Sequence, residues 1–264
     1  MRATRASIMG DSAACLEGFV AALAANDETG DRRNACVNRS NIGFILAELG
    51  DFQGAEEALR PALADGDRFG LVDVTTAVLQ NLGYALAYCG RLDEARAYEQ
   101  RALDAFAHSC DPRMEGCCRT YLAKIALLSG DPAAAEREAR TAARLLQIAP
   151  PLRAAAVAVL ARALLDLGRA EEGLPIAREA FSTLEALGMI EEGESLVRLV
   201  YAEALAAVGR AREFAVAISD AAAHLLARAE KISDPAWRER YLTAVPDNAR
   251  TLALAADAAA RPLC

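Results

Sequence analysis

Six glycines, Gly10, Gly50, Gly90, Gly130, Gly168 and Gly209, recur along the chain at intervals of 40, 40, 40, 38 and 41 residues. Nothing else in the sequence constrains the fold as strongly. A pattern restated at a fixed period describes copies of one supersecondary unit. Such a unit cannot bury its apolar face alone and must stack on its neighbours. Each glycine is followed twelve residues later by an alanine: Ala22, Ala62, Ala102, Ala142, Ala180 and Ala221. The flanking strings GDFQGAEEAL, GRLDEARAY, GDPAAAERE and GRAEEGLPI all read as a turn entering an alanine-rich helix. Alanine is close to a quarter of the 264 residues and aromatics are 5%, which favours helix and argues against a large sheet.

An apolar stripe precedes each glycine: Ile42, Gly43 and Leu46; Leu82, Gly83 and Leu86; Leu122, Ala123 and Ala126; Leu160, Ala161 and Leu164; Tyr201, Ala202 and Leu205. The i, i+1, i+4 spacing is that of one face of a packed helix, and its small central residue admits a close neighbour. The glycine then ends this first helix in a left-handed conformation, and Asp51, Asp131 or an arginine opens the second. Proline in the links, at Asp111-Pro112 and Pro150-Pro151, starts the following helix. By this register Ala102 marks a helix crossing, whereas Glu99 is expected on the solvated side and tolerant of change. The repeats are expected as a half unit over 10–30 and full units at about 32–68, 70–108, 112–148, 151–188 and 190–232. Capping helices are expected over 233–264, with Asp234 and Asp247 as N-caps and Trp237, Tyr241 and Leu242 over the open face of the last repeat. Residues 11–25 read as the second helix of a unit whose first helix is missing. The chain is therefore expected to be the C-terminal piece of a longer protein, or one whose start has been set too late.

The pattern resembles tetratricopeptide repeats, with a small residue near the eighth position, glycine near the fifteenth and alanine near the twentieth and twenty-seventh. Asn41-Ile42-Gly43 and Asn81-Leu82-Gly83 match the family's N-L-G string, and Ala55, Ala95 and Ala135 match its twentieth position. The period of about 40 exceeds the usual 34, and Gly173 and Phe214 replace the alanine in the last two units. The resemblance implies an all-α, right-handed α–α superhelix of helix-turn-helix repeats. The tail string ISDPAWRERYL with AVPDNARTLALA resembles the C-terminal repeat region of bacterial eukaryotic-type serine/threonine kinases or signalling ATPases. No phosphate-binding loop, kinase catalytic loop or Asp-Phe-Gly string occurs, so any such catalytic part lies outside this chain.

The chemistry that remains is sparse. There is no Gly-x-Ser-x-Gly and no His-Glu-x-x-His, and the only histidines are His108 and His224, so an enzyme is not expected. The net charge of −8 opposes nucleic-acid binding, and no apolar run is long enough to span a bilayer, so neither partner is expected. A cytoplasmic location follows by default. Basic charge is almost all arginine, with Lys124 and Lys231 the only lysines, a bias that a GC-rich genome accounts for. His108, Cys110, Cys117 and Cys118 lie within eleven residues, but adjacent cysteines rarely reach one tetrahedral ion, and no metal or other cofactor is expected. The seven cysteines otherwise read as small buried hydrophobes.

In the family the first helix of each unit lines a concave groove. Carried onto this sequence, that implies a ligand-facing set of Phe44, Gln80, Asn81, Tyr84, Tyr88, Tyr121, Lys124, Arg162 and Glu203. Tyrosines among polar neighbours suit peptide recognition, supplying contact area and one hydrogen-bonding tip each. The family's clamp for C-terminal carboxylates is not reproduced, since only Asn81 matches it. The expected function is a non-catalytic protein-interaction and sensing scaffold of a bacterial signalling protein, with a protein or peptide in the groove. The alternative is a small-molecule effector domain like that of maltose-activator-type regulators, with an aromatic pocket near Tyr84, Tyr88 and Tyr121.

Overall fold

A computed structural model describes residues 11–107, 111–190 and 192–260. Gly10, His108 and Cys110 therefore lie outside the described residues. Within them the chain is helical throughout: α1 (Ser12–Thr29), α2 (Arg32–Glu48), α3 (Phe52–Phe69), α4 (Val72–Tyr88), α5 (Leu92–Ala107), α6 (Pro112–Leu128), α7 (Pro132–Leu145), α8 (Pro150–Asp166), α9 (Ala170–Leu187), α10 (Glu194–Ala207), α11 (Ala211–Ala229), α12 (Pro235–Ala244) and α13 (Pro246–Ala260). Successive helices pack on one another from α1 to α5 and from α6 to α10, and first helices also touch from one repeat to the next, α2 with α4, α6 with α8 and α8 with α10. Among the described residues no helix is long and apolar enough to cross a membrane. The fold is an all-α, tetratricopeptide-like solenoid of helix-turn-helix units.

The periodic glycine works through its backbone. Gly50, Gly90, Gly130, Gly168 and Gly209 all sit at φ between 73° and 84°, where a side chain would be strained. The next residue folds its N–H back to the helix just ended: Asp51 to the Leu46 carbonyl at 2.7 Å, and Asp131 to that of Ala126 at 2.9 Å. This double-turn closure satisfies carbonyls that the helix end orphans. The same aspartates then cap the second helix. Asp51 Oδ1 accepts from the Gly54 N–H at 3.2 Å, and Asp131 Oδ1 from that of Ala134 at 2.9 Å.

Small residues set the spacing within each pair. A Cβ on Gly43 would lie 2.3 Å from Leu59 Cγ, so α2 and α3 meet where α2 has no side chain. Ala62, Ala102, Ala142, Ala180 and Ala221 are all buried, while Ala22 in α1 is half-exposed. Glu99 departs from expectation: it is 0% exposed, its carboxylate occupying the space that a Cβ on Gly83 would need, 2.6 Å from Oε1. The 40-residue register explains its place. Glu99 stands where the preceding unit has Leu59 and the following unit has Ala139, both core residues.

Charged ladders tie the turns to the neighbouring second helices. Arg60 bridges Glu56 and Glu94 at 2.7 and 2.8 Å, while Arg91 reaches the same two carboxylates. Two units on, Arg140 and Arg169 share Glu136 at 2.7 and 2.8 Å, and Arg169 also holds Glu172 at 2.6 Å. The Arg140 hydrogen bond, with help from Arg169, keeps the Glu136 carboxyl below its ordinary value against a small burial effect. Each exposed pair is worth less than about 1 kcal/mol; the sharing makes it a network.

The chain divides into two compact units, with breaks after residues 108, 225 and 245. In the first, the segment 226–245 lies on the early turns. Ser233 donates its N–H and hydroxyl to Asp11 Oδ1 at 3.2 and 3.3 Å. Arg240 donates to the Gly50 carbonyl at 3.3 Å and to Asp51 at 2.7 Å, and a Cβ on Gly50 would meet Ala244 Cβ at 2.9 Å. Trp237, Tyr241 and Leu242 therefore belong to a helix packed on the Gly50 turn, which is not the last-repeat position expected of them. In the second unit that face, made by Leu199, Ala202, Ile218 and Ala221, is met by Leu254, Ala255 and Ala258 of α13. Asp234 caps α12 through Ala236 and Trp237, but Asp247 is the second residue of α13 and does not cap it.

Two stability measurements check this packing. Ala102→Leu should overpack the α4–α5 crossing and cost about 1–3 kcal/mol in urea denaturation. Gly43→Ala should also destabilise, yet in a Leu59→Ala background the same change should be neutral or stabilising by up to about 1 kcal/mol, because only the clash opposes alanine's helix preference.

Candidate functional site

Phe44, Tyr84, Lys124, Arg162 and Glu203 each stand six residues before their periodic glycine, so they hold one register position on five successive first helices. All five are half-buried. The rest of the expected set lies one turn to either side, and the two compact units present different chemistry there.

In the first unit the dominant feature is aromatic. Phe52 stacks on Tyr88 with ring centroids 4.7 Å apart and an interplanar angle of 14°. Tyr84 meets Tyr88 edge-on at 4.9 Å and Phe52 at 6.4 Å. Phe52 opens α3 directly after the Gly50 turn, so its ring reaches back onto α4 from the adjacent unit. Offset and edge-on contacts of this kind give a rigid apolar surface with little side-chain entropy left to lose on binding. Asn81 donates its amide to Ser40 Oγ at 3.2 Å and to the Ser40 carbonyl at 3.4 Å, joining α4 to α2. Gln80 is only 6% exposed and is part of the helix packing, so it does not stand on a ligand-facing surface. Phe44 is half-buried on α2.

In the second unit the set is charged and internally paired. Glu192, in the link between α9 and α10, receives the Tyr121 hydroxyl at 2.6 Å and Lys124 Nζ at 2.8 Å. Lys124 also lies 5.1 Å from the Tyr121 ring centre, a favourable cation–ring contact. The Lys124 and Glu192 side chains are 11% and 17% exposed, so this pair is largely desolvated. Burial pushes the Glu192 carboxyl up, but the Lys124 charge and the two hydrogen bonds outweigh it and hold it below its ordinary value. One unit on, Arg162 pairs with Glu203, and Glu203 is shared with Arg250 of α13. Asp247, three residues earlier, lies under the charges of Lys124, Arg162, Glu203 and Arg250, and burial raises its carboxyl above the usual aspartate range. Burial also raises that of Asp166 at the end of α8. The expected ligand residues of this unit are thus paired with the protein's own Glu192 and Arg250 and with one another.

Phe52, Glu192 and Arg250 were not among the residues read from sequence, and Asp247 was read only as an N-cap. Phe52 had a signal, since it follows the turn that abuts Tyr88. Glu192 sits in a link with no repeat counterpart, and Asp247 and Arg250 reach the row only through the path of the tail. Cys118 is buried and Cys117 half-buried, and among the described residues no three histidine, cysteine or acidic side chains are grouped to hold a metal ion.

Glu192→Gln tests the pair. A carboxyl held below its unfolded value adds stability above that value and loses it as pH falls through the folded one. The substitution should therefore cost about 1.5–3 kcal/mol at pH 7, and thermal unfolding at successively lower pH should show the difference unchanged above the ordinary carboxylate range and shrinking below it as pH approaches the folded value.

Residues 75–106 match a tetratricopeptide repeat model. No curated protein matches the chain in sequence. Among solved structures, the Rap conjugation gene regulator of plasmid pLS20, in complex with a Phr peptide, aligns at a TM-score of 0.67 and 14% identity over 98% of this chain and 73% of its own. A Rap protein complexed with competence and sporulation factor aligns at 0.65 and 14% over 94% and 71%. A signal transduction ATPase with numerous domains from Pyrococcus horikoshii, carrying a tetratricopeptide repeat sensor, aligns at 0.58 and 16% over 86% of this chain and 35% of its own. Repeat register, turn geometry and these likenesses agree that the chain is a tetratricopeptide-like repeat protein in fold.

Proposed function

We propose that the chain is a non-catalytic protein-interaction scaffold that senses a peptide or protein segment and serves a bacterial cytoplasmic signalling protein. The observation that carries this reading is the Phe52–Tyr84–Tyr88 cluster beside Asn81, a rigid half-buried aromatic platform next to a side-chain amide. Extended segments are recognised in this way, with apolar side chains on rings and the backbone on amides. The Rap structures, one in complex with a Phr peptide and one with competence and sporulation factor, and the ATPase whose repeats are described as a sensor support the same direction. An enzyme finds no support in a site where the carboxylates Glu192 and Glu203 are tied in ion pairs. A small-molecule pocket built on three tyrosines is less favoured, because the Tyr121 hydroxyl is committed to Glu192.

The test is a displayed random-peptide library selected on the full chain. The reading expects enrichment of peptides carrying apolar or aromatic residues, and a loss of affinity of tenfold or more in Tyr88→Ala. Absence of enrichment, or enriched peptides indifferent to Tyr84→Ala and Tyr88→Ala, contradicts it.

A further inference from the structure

The links between repeats differ in length. Gly30 and Asp31 join α1 to α2, and Gly70 and Leu71 join α3 to α4, whereas residues 188–193 join α9 to α10. The longer link begins and ends on glycines at positive φ, 78° for Gly188 and 84° for Gly193. It runs over first helices of its own unit. Ile190 is 2% exposed and joins the buried cluster that holds Ala154, Val157 and Ala158 of α8 and Val197 of α10. A Cβ on Gly193 would lie 3.0 Å from Ala155 Cβ. Glu192 reaches the next first helix, α6, and takes the Tyr121 hydroxyl and Lys124 Nζ. Ala155 stands two helical turns before Arg162, so the link crosses the face on which ligand-facing residues were expected.

Burial follows this cover. Between Val74 and Tyr88 of α4, the half-buried residues are Ala77, Asn81, Tyr84 and Tyr88, a single stripe at helical spacing. The positions of α8 that match Ala77 and Asn81 are Ala155 and Val159, at 6% and 0% exposure, and all residues from Ala154 to Ala161 are buried. Alanine and valine on this stripe suit a covered face, as asparagine and tyrosine suit a half-open one.

We infer that the α9–α10 link is an internal ligand of the second unit. It lies on the first-helix face as a bound segment would, with one apolar side chain buried and, two residues later, a carboxylate on a hydroxyl and an ammonium. Tethered at both ends, it holds a high effective concentration over any free segment and keeps others off that face. This deepens the interaction reading above and rests on it for one consequence: outside segments are left to the Phe52–Tyr84–Tyr88 platform of the first unit.

The experiment deletes residues 189–192, which leaves Gly188 and Gly193 as a two-residue link like those after α1 and α3. The probe is a fluorescein-labelled synthetic peptide of residues 187–194. The shortened chain should keep α6 and α10 protected in amide exchange and bind the probe saturably, at one site per chain. Affinity should be at least tenfold lower in the unaltered chain, in the shortened chain carrying Lys124→Met, and for a Glu192→Gln probe. Full-length Gly193→Val is the second variant: its side chain crowds Ala155 and disfavours positive φ, so probe affinity should rise at least fivefold over the unaltered chain. A shortened chain that stays protected without taking the probe, or that takes it equally well with Lys124→Met, overturns the proposal. Loss of protection from α6 to α10 in both variants also overturns it, by making the link part of the core. So do library peptides whose binding to the unaltered chain is lost in Lys124→Met and kept in Tyr88→Ala. A library that yields no peptide contradicts the interaction reading alone, and the probe still decides whether the link is an internal ligand.

Discussion

The close approach of helices at Gly43 and at the buried alanines is the constraint on which the rest depends. A helix pair that meets at a residue without a side chain is held at short distance, and the partner's leucine fills the gap, as Leu59 does over Gly43. Repeating that contact every 40 residues brings first helices of adjacent units side by side. The row Phe44, Tyr84, Lys124, Arg162, Glu203 is a consequence. Within each compact unit, one register position copied on successive first helices brings side chains together, Phe44 beside Tyr84 in the first and Lys124, Arg162 and Glu203 in the second, and their chemistry can vary because packing is done by the opposite face.

That division of labour also explains where function can and cannot reside. The packing face holds alanine and leucine, with Glu99 as an exception that burial makes costly unless its surroundings satisfy it. The register face is aromatic in the first unit and ionic in the second. In the ionic half every expected ligand residue is already neutralised from within, Lys124 by Glu192 and Arg162 by Glu203. A partner there must exchange one set of charge contacts for another, which favours selectivity over strength.

The repeat was legible in the sequence because its marks are local. A glycine at φ near 75°, an aspartate cap and a small crossing residue each announce themselves within a few positions. Glu99 was expected on the solvated side because the repeat was read from its glycines, stripes and crossing alanines alone; comparing its position forty residues back and forward, at Leu59 and Ala139, would have placed it in the core. Gln80 was placed on the ligand-facing set by its position on a first helix, which does not distinguish the exposed edge of that helix from its packed one, where Gln80 is 6% exposed. The paths of α12 and α13 were not legible. Nothing local in PAWRERYL says that Arg240 will meet Asp51, and nothing near Arg250 points to Glu203, since these partners are 189 and 47 residues apart in sequence. For the same reason the internal pairing of the candidate residues came only with the structure.

A stack held by nearest-neighbour contacts should fail locally. Residue-resolved hydrogen exchange on Ala142→Leu, which overfills the contact with Leu146 and Ala156, tests this most directly. The account predicts that protection falls in α7 and α8 and, more weakly, in α6 and α9, while α2 and α3 exchange as in the unaltered chain. A uniform loss of protection from α2 to α11 would contradict it.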